Sequence, residues 1–445
     1  MSFKNKPAIF SRLKLLLSII IDYFIINIFF YVYIPSNKLF VIGIRQYFYI
    51  LFWVLLSYIF DRYQHHLSNV NNFNFLSLFL NTLKSIILFG VIFLLYNWFL
   101  GNYISRSFLL TFLANLFFYS TIIQYLINKL LFRKLHYFQY WVFIGIGNFD
   151  KSNFKNNFFN LDTIKVFNLE KISNNNKLIE EAEGIVLKDF QDLDKCDLDF
   201  LLNLKKQGKA IYKLSTWLKI FLKRYPPYLI DSKDLLDVKF PLLNNSLLMR
   251  LKRIGDIFIS FLLLLFCSPL ILISAILIYF EDRGPIFYRQ KRSGYLGGIF
   301  TIWKLRSMMV NAEEKGIRWS SKDDERITNV GSILRKTRID ELPQLWSVFV
   351  GDMSLIGPRP ERPEFDNYLI DQIPFYSMRY LLRPGLSGWA QVNYPYGAST
   401  EDTINKLSYD IFYIANYSFW LDLSIFFKTL RLIFNAKGSK PNITF

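Results

Sequence analysis

Cysteine and histidine are scarce in this sequence, and their positions limit the chemistry that the chain can perform. The two cysteines, Cys196 and Cys267, lie far apart and fit neither a disulfide framework nor a zinc site. All three histidines, His65, His66 and His136, lie in the first third of the 445 residues. Chemistry in the second half of the chain must therefore use carboxylates, lysine, arginine, tyrosine or hydroxyl groups.

Acidic residues are also few, since 35 Asp and Glu face 53 Lys and Arg and give a formal net charge of +18. Hydrophobic residues nevertheless make up 52% of the chain, and aromatic residues 18%. This combination is typical of a membrane protein whose basic parts face anionic lipid or phosphorylated substrates. Nucleic acid would be a competing partner, but the sequence contains no basic helix, zinc-knuckle spacing or aromatic RNA-binding signature.

Residues 1–137 contain four hydrophobic stretches, each close to the ~20 residues that cross a bilayer. They cover about 13–34, 44–60, 75–100 and 108–131. Cations cluster before the first stretch and after the fourth, so the positive-inside rule places both ends of this predicted four-helix bundle in the cytoplasm. Asp22 is the only charge in the first stretch. We expect it to pair with a neighbouring polar group, and a functional role is the alternative.

Residues 138–245 are soluble in composition and begin with a buried-strand pattern that ends in Gly145-x-Gly147. This pattern resembles the first strand and turn of a dinucleotide-binding fold. Asp150 occupies the position of the third glycine of that fingerprint, and an acid in a phosphate-binding turn argues against dinucleotide binding. Strand patterns at 184–189 and 209–215 extend a small parallel sheet. We predict a degenerate, dinucleotide-binding-like α/β domain that serves as a scaffold or regulatory module.

A further hydrophobic stretch covers 257–280 and has cations on both sides. A complete crossing would place one of these basic groups outside the cell, so the charges favour a hairpin that enters and leaves on the cytoplasmic face. Ser268 and Pro269 lie near its middle, where proline removes a helical hydrogen bond and serine can satisfy the freed carbonyl. We predict a re-entrant helix over about 254–280, and a kinked span is the alternative.

An adjacent pair of acids, Asp340 and Glu341, lies between arginines in the charged C-terminal region. A helical pattern over 342–349 follows the pair and ends at Gly351. Asp340 is therefore a candidate N-cap residue. Carboxylates, arginines and a helix start together suit a phosphate-and-metal site. The alternative is an ordinary capping residue among solvated arginines.

Several short motifs occur in order over about 250–440. They are Lys-Arg-x-Gly at 291–294, Lys304-Leu305-Arg306-Ser307-Met308, Asp340-Glu341-Leu342-Pro343-Gln344, Gly351-Asp352-Met353-Ser354, Gly357-Pro358-Arg359-Pro360 and Arg383-Pro384-Gly385. With these motifs the sequence resembles the bacterial sugar transferases, which are monotopic phosphoglycosyl transferases. Its four spans and degenerate middle domain resemble the long-form members, which initiate exopolysaccharide, capsule or O-antigen synthesis.

The resemblance implies a membrane protein of three parts. These are an N-terminal four-helix transmembrane bundle (1–137), a small α/β dinucleotide-binding-like domain (138–245) and an α-rich catalytic domain with a re-entrant helix hairpin (246–445). It implies a multi-pass protein of the inner (plasma) membrane, with its catalytic domain on the cytoplasmic face. The long forms also suggest a homodimer.

The resemblance further implies the reaction. Sugar-1-phosphate passes from a nucleotide diphosphate sugar, expected to be a UDP-hexose, to polyprenyl (undecaprenyl) phosphate, and UMP is released. Asp340 would be the nucleophile that becomes covalently bound to the phosphosugar, and Glu341 its partner at a Mg²⁺ ion held by both acids. The substrate and phosphate contacts would come from Lys291, Arg292, Lys304, Arg306, Arg335, Arg359 and Arg383, while Ser268 and Pro269 would form the break of the hairpin.

The residues themselves are compatible with this chemistry. A diphosphate must be neutralised before a carboxylate can attack it, and divalent cations and arginines provide that neutralisation. Carboxylates are established nucleophiles at phosphorus. Near a helix start and Arg335, both acids are expected to stay ionised.

Three other classes of protein remain as alternatives. A transporter would need functional polar positions within the four spans. A membrane-tethered regulatory or scaffold protein of polysaccharide assembly would leave the acid pair unexplained. A glycosidase would need two carboxylates about 5–9.5 Å apart on either side of a bond, which is an unlikely arrangement for neighbours in sequence.

Overall fold

The computed structural model forms two compact units, Met1–Trp217 and Leu218–Phe445. It describes residues 7–33, 39–60, 62–63, 75–101, 105–132, 139–146, 164–169, 179, 182–189, 193–236, 238, 240–312, 324–394 and 399–434.

The chain from Leu218 to Asn245 belongs to the second unit. Within that unit, the backbone N–H of Tyr225 donates to the carbonyl of Ser408 at 2.8 Å, and the indole of Trp389 donates to the carbonyl of Lys223 at 3.0 Å. The division between the compact units therefore precedes residue 218, whereas the sequence predicts a domain boundary at 245.

Four apolar helices begin the first unit. They are α1 (Pro7–Tyr33), α2 (Leu39–Ile59), α3 (Phe75–Phe99) and α4 (Arg106–Phe132). Their common core is aromatic and includes the buried side chains of Trp53, Phe89 and Phe112. Two segments, Phe75–Phe99 and Arg106–Ile127, are long and apolar enough to cross a membrane, while the shorter segments Leu15–Ile28 and Gln46–Ile59 are apolar helices.

A buried ion pair connects α1 to the end of α2. The Nη2 atom of Arg62 lies 2.7 Å from Asp22 Oδ1, and both side chains are inaccessible to solvent. The hydroxyl of Tyr63 donates to Asp22 Oδ2 at 2.8 Å, and Arg62 Nη1 donates to Ser57 Oγ at 2.6 Å. The prediction that Asp22 pairs with a neighbouring group is confirmed, because both of its oxygens accept hydrogen bonds.

A parallel four-stranded sheet follows in the first unit. Its strands are β1 (Gln139–Ile144), β2 (Ile164–Leu169), β3 (Gly184–Leu187) and β4 (Ala210–Lys213), in the order β2-β1-β3-β4. The predicted strands at 184–189 and 209–215 contain β3 and β4. The predicted glycine turn is only partly visible, because Gly147 and Asp150 lie outside the described residues.

Two helices accompany this sheet, α5 (Lys195–Lys206) and α6 (Leu214–Trp217). Leu201 and Leu204 of α5 pack into the same core as Val142 and Ile185 of the sheet. Gly184 is required by this packing, since a Cβ there would lie 2.4 Å from the ring of Trp141.

The second unit is mainly helical. Its helices are α7 (Ser232–Leu236), α8 (Pro241–Asn244), α9 (Ser246–Asp282), α10 (Asn329–Thr337), α11 (Gln344–Val350), α12 (Pro363–Gln372), α13 (Trp389–Asn393), α14 (Thr400–Ala415) and α15 (Phe419–Phe434), and a π-helical turn covers Leu218–Leu222. An antiparallel hairpin of β5 (Phe287–Ser293) and β6 (Ile299–Leu305) and a short parallel pair of β7 (Ser354–Ile356) and β8 (Gly385–Ser387) complete it.

Helix α9 is the most apolar element of this unit, with 37 residues and only 11% of its most apolar window buried. Large side chains such as Phe258, Phe266 and Phe280 are exposed along it. Pro269 cannot donate to the carbonyl of Leu265, and the hydroxyl of Ser268 donates to that carbonyl instead, at 2.8 Å. The serine thus satisfies a polar group that would otherwise face an apolar environment.

Both ends of α9 are attached to the second unit. Near its start, Arg253 donates to the carbonyls of Val348 and Phe349 at 2.6 and 2.7 Å, at the C-terminal end of α11. At its end, Asp282 forms a two-pronged ion pair with Arg306, which follows β6. The exposed apolar middle of α9 therefore lies between two polar attachments to one structural unit.

Candidate active site

The two acids lie in a 3₁₀ turn, Ile339–Glu341, between α10 and α11. Arg338 has a left-handed backbone conformation (φ 61°), which ends α10 and redirects the chain into this turn. Leu334 and Ile339 pack with Leu305 at the end of β6, and this contact fixes the turn against the β-hairpin. Asp340 and Glu341 are 7% and 9% exposed, so both carboxylates are largely removed from water.

The predicted helix after the acid pair is present as α11, and it ends as predicted at Gly351, which has φ 114°. The prediction that Asp340 is its N-cap residue is wrong. Pro343 occupies that position, and no side chain caps the helix. The 3₁₀ turn separates Asp340 from the start of α11, and the carboxylate is therefore not occupied with capping.

Glu341 is surrounded by three cations. Its Oε1 lies 2.7 Å from Arg359 Nη2 and 3.1 Å from Lys304 Nζ, and its Oε2 lies 3.5 Å from Arg338 Nη1. Burial opposes the ionised form of Glu341, but the charges of Arg359, Lys304 and Arg338 together outweigh it and hold its pKa well below the usual value. Glu341 is therefore a permanent anion that holds these cations in place.

Asp340 has the opposite environment. Burial and the negative charge of Glu341 raise its pKa to about 6, against the opposing charges of Lys304, Arg338 and Arg335. No described residue forms a hydrogen bond with its buried Oδ1 atom. An ionised oxygen in this position is costly without a partner, so Asp340 retains the capacity to bind an electrophile or a cation.

Three of the cations predicted from the sequence act on the acid pair. Arg359 and Lys304 contact Glu341 directly, and Arg335 lowers the pKa of Asp340 through its charge. Lys304 reaches the pair from β6, opposite Tyr288 in the hairpin. Burial lowers the pKa of Lys304 below its usual value, which the charge of Glu341 partly opposes.

Arg292 lies beside these cations and donates a hydrogen bond to a backbone carbonyl. Its Nη1 donates to the carbonyl of Pro360 at 3.0 Å, and its Nη2 donates to Gln290 Oε1 at 2.6 Å. Lys291, the residue before Arg292 in β5, is exposed. Because neighbouring residues of a strand project to opposite faces, Lys291 is directed away from the face that carries Arg292 and Lys304.

Two predicted cations occupy other positions. Arg306 forms its ion pair with Asp282 at the end of α9. Arg383 donates from Nε to the carbonyl of Gly351 at 2.9 Å, and its guanidinium lies 5.6 Å from the ring centroid of Tyr295. Their roles as substrate contacts stay predictions, while the structure gives each of them a fixed packing contact.

Two residues that touch the site were not predicted from the sequence. Arg338 directly precedes the turn and contacts Glu341, and its position beside the acid pair was the available signal. The Oε1 atom of Gln391, on α13, accepts from Arg359 Nη1 at 3.5 Å. Only the tertiary fold brings Gln391 to this arginine, so its sequence position offered no comparable signal.

The acid pair fits a magnesium ion. Within the described ranges, no group of three or more His, Cys, Asp and Glu side chains could hold a metal by itself. Mg²⁺ commonly binds through one or two carboxylates and completes its shell with water and substrate phosphates. Asp340 and Glu341 are the two carboxylates that would hold such an ion.

Comparisons with known proteins agree with this arrangement. A family model described as bacterial sugar transferase matches residues 247–436. A UDP-N-acetylgalactosamine-undecaprenyl-phosphate N-acetylgalactosaminephosphotransferase of Aeromonas hydrophila is 46% identical over 190 residues, which are 43% of this chain and 45% of that protein. A UDP-glucose:undecaprenyl-phosphate glucose-1-phosphate transferase of Klebsiella pneumoniae is 38% identical over 42% of this chain and 40% of its own length.

The chain thus spans less than half the length of these two relatives. A shorter relative is covered more fully. This UDP-glucose:undecaprenyl-phosphate glucose-1-phosphate transferase of Caulobacter vibrioides is 40% identical over 213 residues, which are 47% of this chain and 79% of that protein. The matched region contains the β-hairpin, the acid pair and the arginine-containing turns described above. The chain belongs to the bacterial sugar transferase family.

Proposed function

We propose that this protein transfers sugar-1-phosphate from a UDP-hexose to undecaprenyl phosphate, the first membrane step of exopolysaccharide, capsule or O-antigen synthesis. The observation that carries the proposal is the buried, unpartnered Oδ1 of Asp340 beside the cation-bound Glu341. The relatives named above, whose names describe this type of transfer with UDP-glucose or UDP-N-acetylgalactosamine, support the substrate class.

The first step is an attack of Asp340 Oδ1 on the phosphorus that carries the sugar. A new O–P bond forms, the bond between the two phosphates breaks, and UMP leaves with that electron pair. Arg359 and Lys304, which Glu341 holds, would bind the phosphate oxygens and stabilise the developing charge. Mg²⁺, when bound at the two acids, supplies further neutralisation of the diphosphate.

The second step regenerates the enzyme. An oxygen of the lipid phosphate attacks the same phosphorus, and the bond to Asp340 breaks with its electrons returning to the carboxylate. Because UMP leaves before the lipid enters, one site can serve both substrates in turn, and the kinetics are ping-pong. The lipid product is undecaprenyl-diphosphate-sugar.

We further propose that α9 enters and leaves the membrane on one side. Its two polar attachments to the second unit support this geometry. The helix itself continues without interruption through Ser268 and Pro269, where the sequence predicts a break. The catalytic domain (246–445) would then face the cytoplasm at the surface of the inner membrane. Helices α1–α4 would form a transmembrane bundle, and the parallel sheet a dinucleotide-binding-like scaffold domain. A homodimer is part of the same proposal, by analogy with the long forms.

Mass analysis of the purified full chain tests the function. The protein is incubated with Mg²⁺ and a panel of UDP-sugars without a lipid acceptor, and we expect a sugar-phosphate adduct on Asp340 with at least one of them. Undecaprenyl phosphate should then remove the adduct and yield the lipid product. The variant D340N should form no adduct.

The variant D371N is the matched control, because Asp371 is an exposed acid of the same unit. It should form the adduct as the unaltered protein does. An unmodified Asp340 with every UDP-sugar, together with UMP release by D340N on addition of lipid, would refute the covalent mechanism. Normal polysaccharide assembly in cells that carry D340A would favour the scaffold alternative.

A further inference from the structure

The turn that carries Arg359 is held by its backbone carbonyls. Four consecutive carbonyls, those of residues 358–361, each accept a hydrogen bond from a donor outside the turn. The donors are Gly385 N to Pro358 O at 2.8 Å, Arg379 Nη2 to Arg359 O at 2.6 Å, Arg292 Nη1 to Pro360 O at 3.0 Å and Ser293 N to Glu361 O at 2.9 Å. We call these four bonds the carbonyl frame.

The sequence of the turn explains why external donors are needed. Pro358 and Pro360 flank Arg359, and neither has a backbone N–H. The turn consequently has few donors of its own, and its partly buried carbonyls need partners from elsewhere. The carbonyl of Arg359 itself accepts its hydrogen bond from the side chain of Arg379.

Arg379 is rigidly positioned by three elements. It lies in the 3₁₀ helix Tyr376–Leu381 and is 7% exposed. Its Nη1 donates to the hydroxyl of Tyr376 at 2.8 Å, and that hydroxyl donates to Asp366 Oδ1 on α12 at 2.6 Å. Its Nη2 also lies 3.5 Å from Asp410 Oδ2 on α14. The guanidinium therefore links α12 and α14 to the backbone of Arg359.

On the other side of the turn, the side chain of Arg359 reaches the acid pair through Glu341 at 2.7 Å. A displacement of the peptide of Arg359 moves this guanidinium with it. Displacements of about 1 Å in a catalytic group can cost on the order of 100-fold in rate. The bond from Arg379 is thus placed where it controls the position of a charge at the site.

We propose that Arg379 is a positioning residue, which orients the Arg359 guanidinium toward Glu341 by holding the backbone carbonyl of Arg359. Arg379 acts only through Arg359 and does not itself contact the substrate. This inference rests on the proposed transferase function, for which Arg359 is a phosphate contact.

A double-mutant cycle measures this dependence. The four proteins are the full unaltered chain, R379K, R359M and R379K/R359M, and the measured quantity is kcat/KM for the UDP-sugar from UMP release. R379K keeps a cation beside Asp410 but loses the forked geometry that serves Tyr376, Asp410 and the carbonyl of Arg359 at once. We expect R379K alone to lower kcat/KM by about 10–100-fold, as the loss of a supporting contact commonly does.

In the R359M background, R379K should change kcat/KM by less than about twofold, because no guanidinium remains to be positioned. Equal losses in both backgrounds would overturn the inference, since they would show that Arg379 acts independently of Arg359. If R379K is poorly folded, R379M/D410N replaces it in the cycle, since it removes both charges of the pair formed by Arg379 and Asp410.

Arg224 provides a matched control. It is a buried arginine of the same unit, whose guanidinium lies 5.4 Å from the ring centroid of Tyr409 and whose Nη1 donates to Asn405 at 3.4 Å. R224K should have the same effect on kcat/KM in both backgrounds. If the unaltered chain releases no UMP with any UDP-sugar, the proposed function fails, whereas an additive cycle in an active enzyme refutes only the role of Arg379.

Discussion

Two of the buried aspartates, Asp22 and Asp340, have surroundings that differ in kind. Asp22, on α1, has one oxygen bound by Arg62 and the other by Tyr63. Asp340 has a buried Oδ1 that no described residue contacts, and its nearest charged neighbour in sequence is a second acid. A buried carboxylate with both oxygens satisfied stabilises a structure, whereas an unsatisfied one beside a second acid and several cations indicates a site that a ligand completes.

The largest difference should appear in catalysis. D340N removes the nucleophile, and we expect turnover to fall on the order of 10⁴-fold or more, as for other catalytic nucleophiles. D22N should keep its turnover per folded molecule. The measurement is UMP release with undecaprenyl phosphate as acceptor, normalised to folded protein. Comparable losses in the two variants would remove the distinction between the sites.

The substitutions D22N and D340N should change the stability of the protein in opposite directions. D22N leaves the charge of Arg62 buried without its partner, a change that typically costs about 3–5 kcal/mol. The double variant D22N/R62M should lose less, because no unpaired charge remains. The apparent Tm values in detergent micelles rank the unaltered chain, D22N and D22N/R62M by stability. A D22N protein as stable as the unaltered chain would show that the ion pair contributes nothing.

For Asp340, substitution by asparagine is expected to raise the stability of the protein rather than lower it. Its pKa in the folded protein, about 6, lies above the ordinary value of 3.8. Its contribution to stability is therefore fully present below the ordinary value and is lost as the pH rises through about 6. At pH 8 the ionised Asp340 opposes folding, so D340N should have a higher Tm than the unaltered chain at that pH. A lower Tm would contradict the raised pKa.

The same raised pKa predicts a pH limit for the reaction. Asp340 attacks only when ionised, so kcat/KM should fall about tenfold per pH unit below about 6. The charge of Lys304 lowers the pKa of Asp340, and K304M should therefore move this limb to higher pH. Lys336, an exposed lysine of α10, is the control. An equal displacement of the limb in K336M would mean that net charge, not Lys304, sets the pKa.

The smallest effect concerns the polar group inside the apolar helix α9. S268A removes the hydroxyl that donates to the carbonyl of Leu265, and a single hydrogen bond of this kind contributes about 1 kcal/mol. We expect a small fall in Tm with unchanged catalytic parameters. S268T keeps a hydroxyl and should restore most of the loss. A rise in Tm for S268A would show that the carbonyl finds another donor.

The comparison also shows what the sequence could and could not reveal. The apolar periodicity after the acid pair predicted α11, and Gly351 predicted its end, because local sequence determines both. The sequence did not reveal that the left-handed Arg338 and a 3₁₀ turn precede that helix. The N-cap position predicted for Asp340 is therefore wrong, because the helix begins several residues later.

Long-range contacts account for the remaining differences. A motif shows that arginines are present but not which carboxylate or carbonyl each one will meet. Arg306 meets Asp282, Arg292 meets the carbonyl of Pro360, and Arg359 meets Glu341. Only the last of these directly contacts the acid pair. The roles of the other two in the fold could not be separated from substrate binding until the backbone was known.

The exposed apolar surface of α9 has a consequence for how the enzyme must be studied. Among the described residues, side chains such as Phe258, Phe266 and Phe280 lie exposed to the surroundings, and a bilayer or micelle would cover them in the proposed membrane-bound enzyme. The proposed acceptor lipid dissolves in that same phase, and its availability is then a mole fraction rather than a concentration in the buffer. Adding detergent at constant lipid and protein should slow turnover by surface dilution, whereas adding buffer should leave the rate per enzyme unchanged.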